Sequence, residues 1–304
     1  MQRPFRFFVA ATAALSVAVA VPAATASASG PVVSARTTAV RTGPDGVVVV
    51  RDVSFPQCHG GLPSGRAAAF AVLGANKGTS YSTNPCLEAQ LAWAKRLPAA
   101  PAFYANTGNP GPLRARHWPL GQTVPQVCTS ADPNSVGCSY DYGWNAARQS
   151  LSIAADAAQR LHHVDRANAR QRVANVDWWL DVETMNSWQA YEGHETTAAQ
   201  RRDAATLTAQ IDALRAAGVA RIGVYSTSYQ WHVITGGRAV TGSRFTGVAV
   251  WLAGFGSRAS AIAGCRASGF TGGPVRMTQY LAADRFDADV VCNAAEIDPG
   301  TGAD

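Results

Sequence analysis

From residue 47 to residue 280 the chain alternates short β-branched or aromatic runs with longer segments rich in Ala and Leu. VVVVRDVS (47–54), AAFAVLGAN (68–76), PAFYANT (101–107), VDWWLDVE (176–183), RIGVYST (221–227), GVAVWLAG (247–254) and VRMTQY (275–280) read as strands. Residues 86–96, 141–172 and 197–217 read as helices, the last closed by Gly218. Strand, helix and strand in succession give a parallel sheet with helices outside. About 250 residues of this kind suit one TIM-like (β/α) barrel in the α/β class. A long Gly- and Pro-rich insertion follows the third strand.

The two ends stand apart from this pattern. Arg3 and Arg6 precede an apolar run from Phe7 to about Val21, and two overlapping Ala-x-Ala sites follow at 24–28. That order is the pattern of a secretory signal peptide, expected over residues 1–28. Residues 29–46 read as a flexible leader, 47–296 as the barrel and 297–304 as a frayed tail. No later apolar run is long enough to span a bilayer, so no stable membrane anchor is expected. The expected product is secreted, extracellular and monomeric.

Export bears on the six cysteines, Cys58, Cys86, Cys128, Cys138, Cys265 and Cys292. An even count in an oxidising compartment reads as disulfides. Sequence alone leaves the connectivity open, and pairing in chain order is the expectation. Cys-x-x-Cys and His-Glu-x-x-His are both missing and the histidines are dispersed, so no metal and no cofactor are expected. The formal net charge of +6 suits an anionic surface such as a cell wall as well as it suits simple solubility. The arginines are scattered and form no basic stripe with interleaved aromatics, so no nucleic-acid partner is expected.

The strand at 176–183 carries the chemistry. Successive strand residues face opposite ways, so Trp178, Leu180 and Val182 share an apolar face that suits packing against helices. Asp177, Trp179, Asp181 and Glu183 share the other face, the barrel interior. Buried unpaired carboxylates are costly there. At the C-terminal mouth, where water and substrate reach them, they become tolerable, and barrel enzymes place catalytic residues there. Asp181 and Glu183 end the strand, whereas Asp177 starts it. The first strand repeats the arrangement, with Val48 and Val50 preceding Asp52 on one face. Asp287 and Asp289 follow the last strand, after VRMTQY. Clustered carboxylates raise one another's cost of ionising, so one can hold a proton near neutral pH. A protonated and an ionised carboxyl are the minimum equipment for cleaving a glycosidic bond. Asp181 and Glu183, two residues apart, are expected to hold their carboxyls roughly 5–9 Å apart, a range that leaves retention and inversion both open.

An ordered set of motifs resembles glycoside hydrolase family 25, the lysozymes built on a β/α barrel, and related secreted actinobacterial barrels. DVSFPQ (52–57), ANKGTSYSTNP (75–85), LDVE (180–183), VYSTSYQW (224–231), VWLAGF (250–255) and TQY followed by FDADV (278–290) come in that family's order. The resemblance implies Glu183 as general acid, Asp181 as its assisting carboxylate, Asp52 as an acid at the floor and Asp287 as an acid near the end of the barrel. It also implies that Tyr225, Gln279 and Tyr280 line the site, and Tyr104, Trp188 and Trp251 offer surfaces for sugar stacking. Polysaccharide or peptidoglycan is the implied partner. The chain departs from the family at Gly74 and Lys77, where a Lys and a Glu are usual, and at Arg51 beside Asp52. Charge at the rim is therefore reversed, which bears on the substrate.

Three readings follow: a secreted glycan hydrolase using carboxylate acid catalysis, a barrel that binds glycan without cleaving it, and a secreted interaction protein. A Gly-x-Ser-x-Gly elbow and a phosphate-binding Gly-x-x-x-x-Gly-Lys-Ser/Thr loop are both missing from the sequence. His194 reads as part of a polar lead-in to a helix capped by Thr196 or Thr197.

Overall fold

Eight strands close into a barrel in chain order: β1 (Val48–Val53), β2 (Ala68–Gly74), β3 (Ala102–Asn106), β4 (Trp178–Asp181), β5 (Ile222–Ser226), β6 (Ala249–Phe255), β7 (Val275–Leu281) and β8 (Asp287–Val291). The computed structural model describes residues 46–64, 68–191, 194–237 and 244–294, which fall in one compact unit. The expected signal peptide, nearly all of the leader and the tail at 297–304 lie outside the described residues. Helices α1 (Gln57–Gly60), α2 (Leu87–Ala94), α3 (Val136–His162), α4 (Arg166–Ala174), α5 (Thr197–Ala216), α6 (Ser228–Thr235) and α7 (Arg258–Gly264) connect the strands.

Strands β1 to β7 pair in parallel, as expected. The eighth runs antiparallel to both its neighbours, β7 and β1. This corrects the expectation that VRMTQY is the last strand: Asp287 and Asp289 belong to a strand of their own. An antiparallel pair needs only a hairpin and no crossover helix. Residues 282–286 make that hairpin, closed by Ala282 N–H to the Phe286 carbonyl at 3.0 Å.

Strand alternation sorts the core into two layers. Leu73, Phe103, Trp178, Leu180, Val182 and Val224 face outward and pack with helix residues such as Leu91, Leu207, Ile211 and Leu214. Val48, Val50, Phe70, Val72, Trp179, Trp251 and Met277 fill the interior. Each buried tryptophan removes about 150–250 Å² from water, an upper bound of roughly 4–6 kcal/mol. The interior accepts Trp179 because its register partner on β5 is Gly223, where any Cβ would overlap the six-membered ring of the indole. Gly74 makes the same allowance for the ring of Tyr104. Gly74 thus has a packing cause of its own.

The helical region expected at 141–172 is two helices. Ser135 caps α3, its hydroxyl accepting from Cys138 N–H at 3.0 Å, so the helix begins earlier than expected. It ends at His163, in a left-handed conformation with φ of 51°. Asp165 then caps α4 by accepting from Asn168 N–H at 2.8 Å. Thr196 caps α5, as its sequence suggests. The insertion at 107–135 folds back on α3, where Gln126 N–H donates to Asp141 Oδ1 at 2.9 Å and Asn145 donates to Gln122 Oε1 at 2.8 Å. The disulfides pair in chain order: Cys58–Cys86, Cys128–Cys138 and Cys265–Cys292. Among the described residues no helix is long and apolar enough to cross a membrane.

Candidate active site

At the mouth of the barrel the inward faces of several strands end in a residue that carries a polar group. Asn106, Asp181, Tyr225 and Trp251 are successive register partners on β3, β4, β5 and β6. Asp52 ends the inward face of β1, and Gln279 that of β7. Asp287 and Asp289 come from β8, whose reversed direction delivers Asp287 to the mouth as its first residue.

Asp181 is buried, at 4% exposure. Its Oδ2 accepts from the Asn106 side-chain amide, whereas its Oδ1 is buried with no N–H or O–H partner. The Glu183 carboxyl lies within hydrogen-bonding reach of Asp181. The two are therefore closer than the roughly 5–9 Å expected from their spacing. Two ionised carboxylates cannot hold that contact, but one proton between them satisfies both. Burial, followed by the Glu183 charge, pushes the Asp181 carboxyl well above its ordinary range, and the Asn106 bond opposes the shift. Burial raises Glu183 as well; the Asp181 hydrogen bond lowers it, and the Asp287 charge raises it further. Both carboxyls of the pair are therefore held above their ordinary range, with burial the first cause in each.

The backbone around the pair is tightly held. The Asp181 carbonyl accepts from Thr107 N–H at 3.1 Å and from the Thr107 hydroxyl at 2.5 Å. Ser226 donates to the Val182 carbonyl at 2.6 Å. The Glu183 carbonyl accepts from Trp188 Nε1–H at 2.9 Å and Asn186 N–H at 3.0 Å. Glu183 itself is half-buried, so of the two acids it is the one that solvent reaches.

A second chain of polar groups crosses the interior. Tyr225 donates to Gln279 Oε1 at 2.7 Å, and Gln279 Nε2 donates to Asp52 Oδ2 at 2.9 Å. Burial, then the charge of Asp287, raises Asp52 well above its ordinary range against the pull of Gln279. Burial raises Asp287 also. Asp289 is fully buried; Trp251 Nε1–H donates to its Oδ1 at 2.8 Å, while its Oδ2 has no partner. Burial first, then Asp52, raises it. Five carboxyls thus gather at the mouth and in the interior of the barrel, and burial is the first cause that raises each of them. Among the described residues no group of acids, histidines or cysteines is arranged to hold a metal ion.

The remaining expected residues divide by strand face. Tyr104 and Tyr225 face the interior beside Trp251, with ring centroids 6.4 and 4.6 Å from it. Trp251 is only 2% exposed, so it supports the floor and offers no open surface for stacking. Trp188, at 3%, packs in the outer layer and holds the Glu183 backbone. Tyr280 lies on the opposite face of β7 from Gln279 and packs with Ala261 of α7, so it does not join the group. Asp177 pairs with Arg221 at the far end of β4. Sequence reasoning missed Asn106 and the part played by Asp289. Both had a readable signal, since Asn106 shares a strand face with Tyr104 and Asp289 shares one with Asp287.

No protein-family model and no curated protein matches the chain. Among solved structures it is similar to a muramidase from Trichobolus zukalii, with 15% identity and a TM-score of 0.47 over 80% of this chain and 93% of the other. A muramidase from Acremonium alcalophilum gives 13% identity and 0.46 over 84% and 98%. The bacterial lysozyme from Streptomyces coelicolor gives 13% and 0.43 over 82% and 94%.

Proposed function

We propose that the protein is a secreted glycoside hydrolase that cleaves cell-wall or related polysaccharide, peptidoglycan included, by carboxylate acid catalysis. The observation that carries this reading is the Asp181–Glu183 pair, two touching carboxyls at the mouth of a closed barrel with room for one proton between them. Glu183, the member that solvent reaches, donates the proton to the glycosidic oxygen as the bond from that oxygen to the sugar carbon breaks. Asp181 assists by passing its shared proton to Glu183. Because the pair is in direct contact, it acts from one side of the bond. The positive charge that develops on the sugar carbon is met by Asp287, the half-buried acid that opens β8, in its ionised form, or by a neighbouring group of the substrate. Water then adds to the sugar carbon and returns a proton to the pair. Three disulfides suit an exported protein.

The test is reducing-end release from purified peptidoglycan and a small panel of polysaccharides, with wild type beside Glu183→Gln. Release by wild type and none by the variant is the expected result. Full activity in Glu183→Gln overturns the assignment of the acid. No release from any glycan moves the reading to a barrel that binds glycan without cleaving it.

A further inference from the structure

The loops around the mouth are basic on one side. Lys77 lies in the β2–α2 loop, and Arg114 and Arg116 lie in the insertion after β3; all three are exposed. None of them makes an ion pair among the described residues. The two loops are joined. His117, next to Arg116, stacks on Tyr81 with centroids 4.6 Å apart and ring planes at 16°. Tyr81 donates to the Tyr142 carbonyl on α3 at 2.8 Å, and Trp118 packs on the Tyr142 ring at 5.3 Å. The segment carrying the arginines is therefore fixed against the loop carrying Lys77.

Among the described residues these two loops carry three exposed cations, Lys77, Arg114 and Arg116, against one exposed acid. Asp132 is, among the described residues, the exposed acid of the insertion, and Glu195 that of the β4–α5 loop. In the β7–β8 hairpin Asp284 is taken up by Arg51, with contacts of 2.7 and 3.2 Å, which leaves Arg285 exposed beside it. Glu183 and Asp287, the half-buried carboxyls at the mouth, repel an anionic polymer whenever they are ionised and the rim is neutral. A cationic rim reverses that field where the polymer first arrives, and a low-dielectric cleft focuses it.

We infer that the side of the mouth formed by the β2 and β3 loops is a docking strip for a polyanionic glycan, with Lys77, Arg114 and Arg116 as its cationic contacts. The inference deepens the hydrolase reading above and takes the position of the cleft from it. The repeating negative charge is what the strip recognises, and the glycan backbone is what enters the mouth.

Two polymers with the same N-acetylglucosamine backbone provide the test: carboxymethyl chitin, which is charged, and glycol chitin, which is neutral. Binding is measured by affinity electrophoresis on the full chain carrying Glu183→Gln, so that neither polymer is consumed. The expected result is a preference of at least about tenfold for the charged polymer at low salt, fading as salt screens the rim. The triple variant Lys77→Ser, Arg114→Ser, Arg116→Ser loses the preference with an unchanged thermal midpoint. The conservative triple exchange of Lys for Arg and Arg for Lys keeps it. Equal affinity of the parent for both polymers overturns the inference, as does a preference that survives in the Ser variant. Equal affinity for a single-stranded oligonucleotide overturns the glycan part of it. The hydrolase reading is tested separately: wild type that binds carboxymethyl chitin but releases no reducing ends from any glycan of the panel above sinks that reading while leaving the docking strip in place.

Discussion

Asn106 and Asp181 are register partners on neighbouring strands, and the Asn106 amide is the donor that reaches the buried Asp181 carboxyl. That bond favours the ionised form, whereas burial and Glu183 favour the protonated one. The Asn106 bond thus opposes the two larger effects without outweighing them, and the Asp181 carboxyl stays above its ordinary range.

Asn106→Ala removes the donor. A buried acceptor left without its partner costs about 1–3 kcal/mol. Loss of the bond also raises Asp181 further, so the native state keeps a proton to higher pH while the unfolded chain releases it near its ordinary value of about 3.9. Stability then falls as pH rises, and the variant loses more at pH 8 than at pH 5. Urea unfolding at the two pH values measures this; an equal loss at both would mean that Asp181 does not ionise in that range.

Gly223→Ala places a Cβ into the Trp179 ring. Overpacking of this kind costs about 1–3 kcal/mol and displaces the indole. Gly60→Ala, where no atom lies within 4 Å, should stay within about 0.5 kcal/mol of wild type. Denaturant midpoints and tryptophan fluorescence distinguish the two, and a neutral Gly223→Ala would show that β4 and β5 separate more easily than their register implies.

Asp203 on α5 accepts from Ala190 N–H at 2.7 Å and Gln189 N–H at 3.3 Å, holding the loop that follows Glu183. Burial nevertheless pushes its carboxyl up to about 8, so its folded value lies above its unfolded one. Its contribution is complete below about 4 and is lost as pH rises through about 8. Asp203→Asn should therefore show a smaller fall in thermal midpoint between pH 5 and pH 9 than wild type. An identical fall in both would remove Asp203 from the pH dependence.

Seven strands were legible because runs such as VVVVRDVS and RIGVYST carry a β-branched signal that no helix uses well. The eighth was not, because DADVV has acids where a barrel interior usually has Val or Ile, so it reads as a polar segment after a strand. The site followed the same division. Asp52, Asp181 and Glu183 stood out as acids among apolar neighbours on strands that were themselves recognised. Trp188, Trp251 and Tyr280 carried a residue type without a direction, and only their strand faces and burial showed that they support the cavity or turn away from it. The contact between Asp181 and Glu183 is set by how the chain turns after β4, which spacing along the sequence does not encode.

The reversed eighth strand also decides which side of the barrel can be tethered. Val48 and Val291, at the outer limits of the first and last strands, are register partners at the end opposite the carboxyls. A linker, affinity tag or solid support joined next to either boundary therefore attaches at the blind end. Immobilised in this way, the protein would present its open end to an insoluble particle larger than itself.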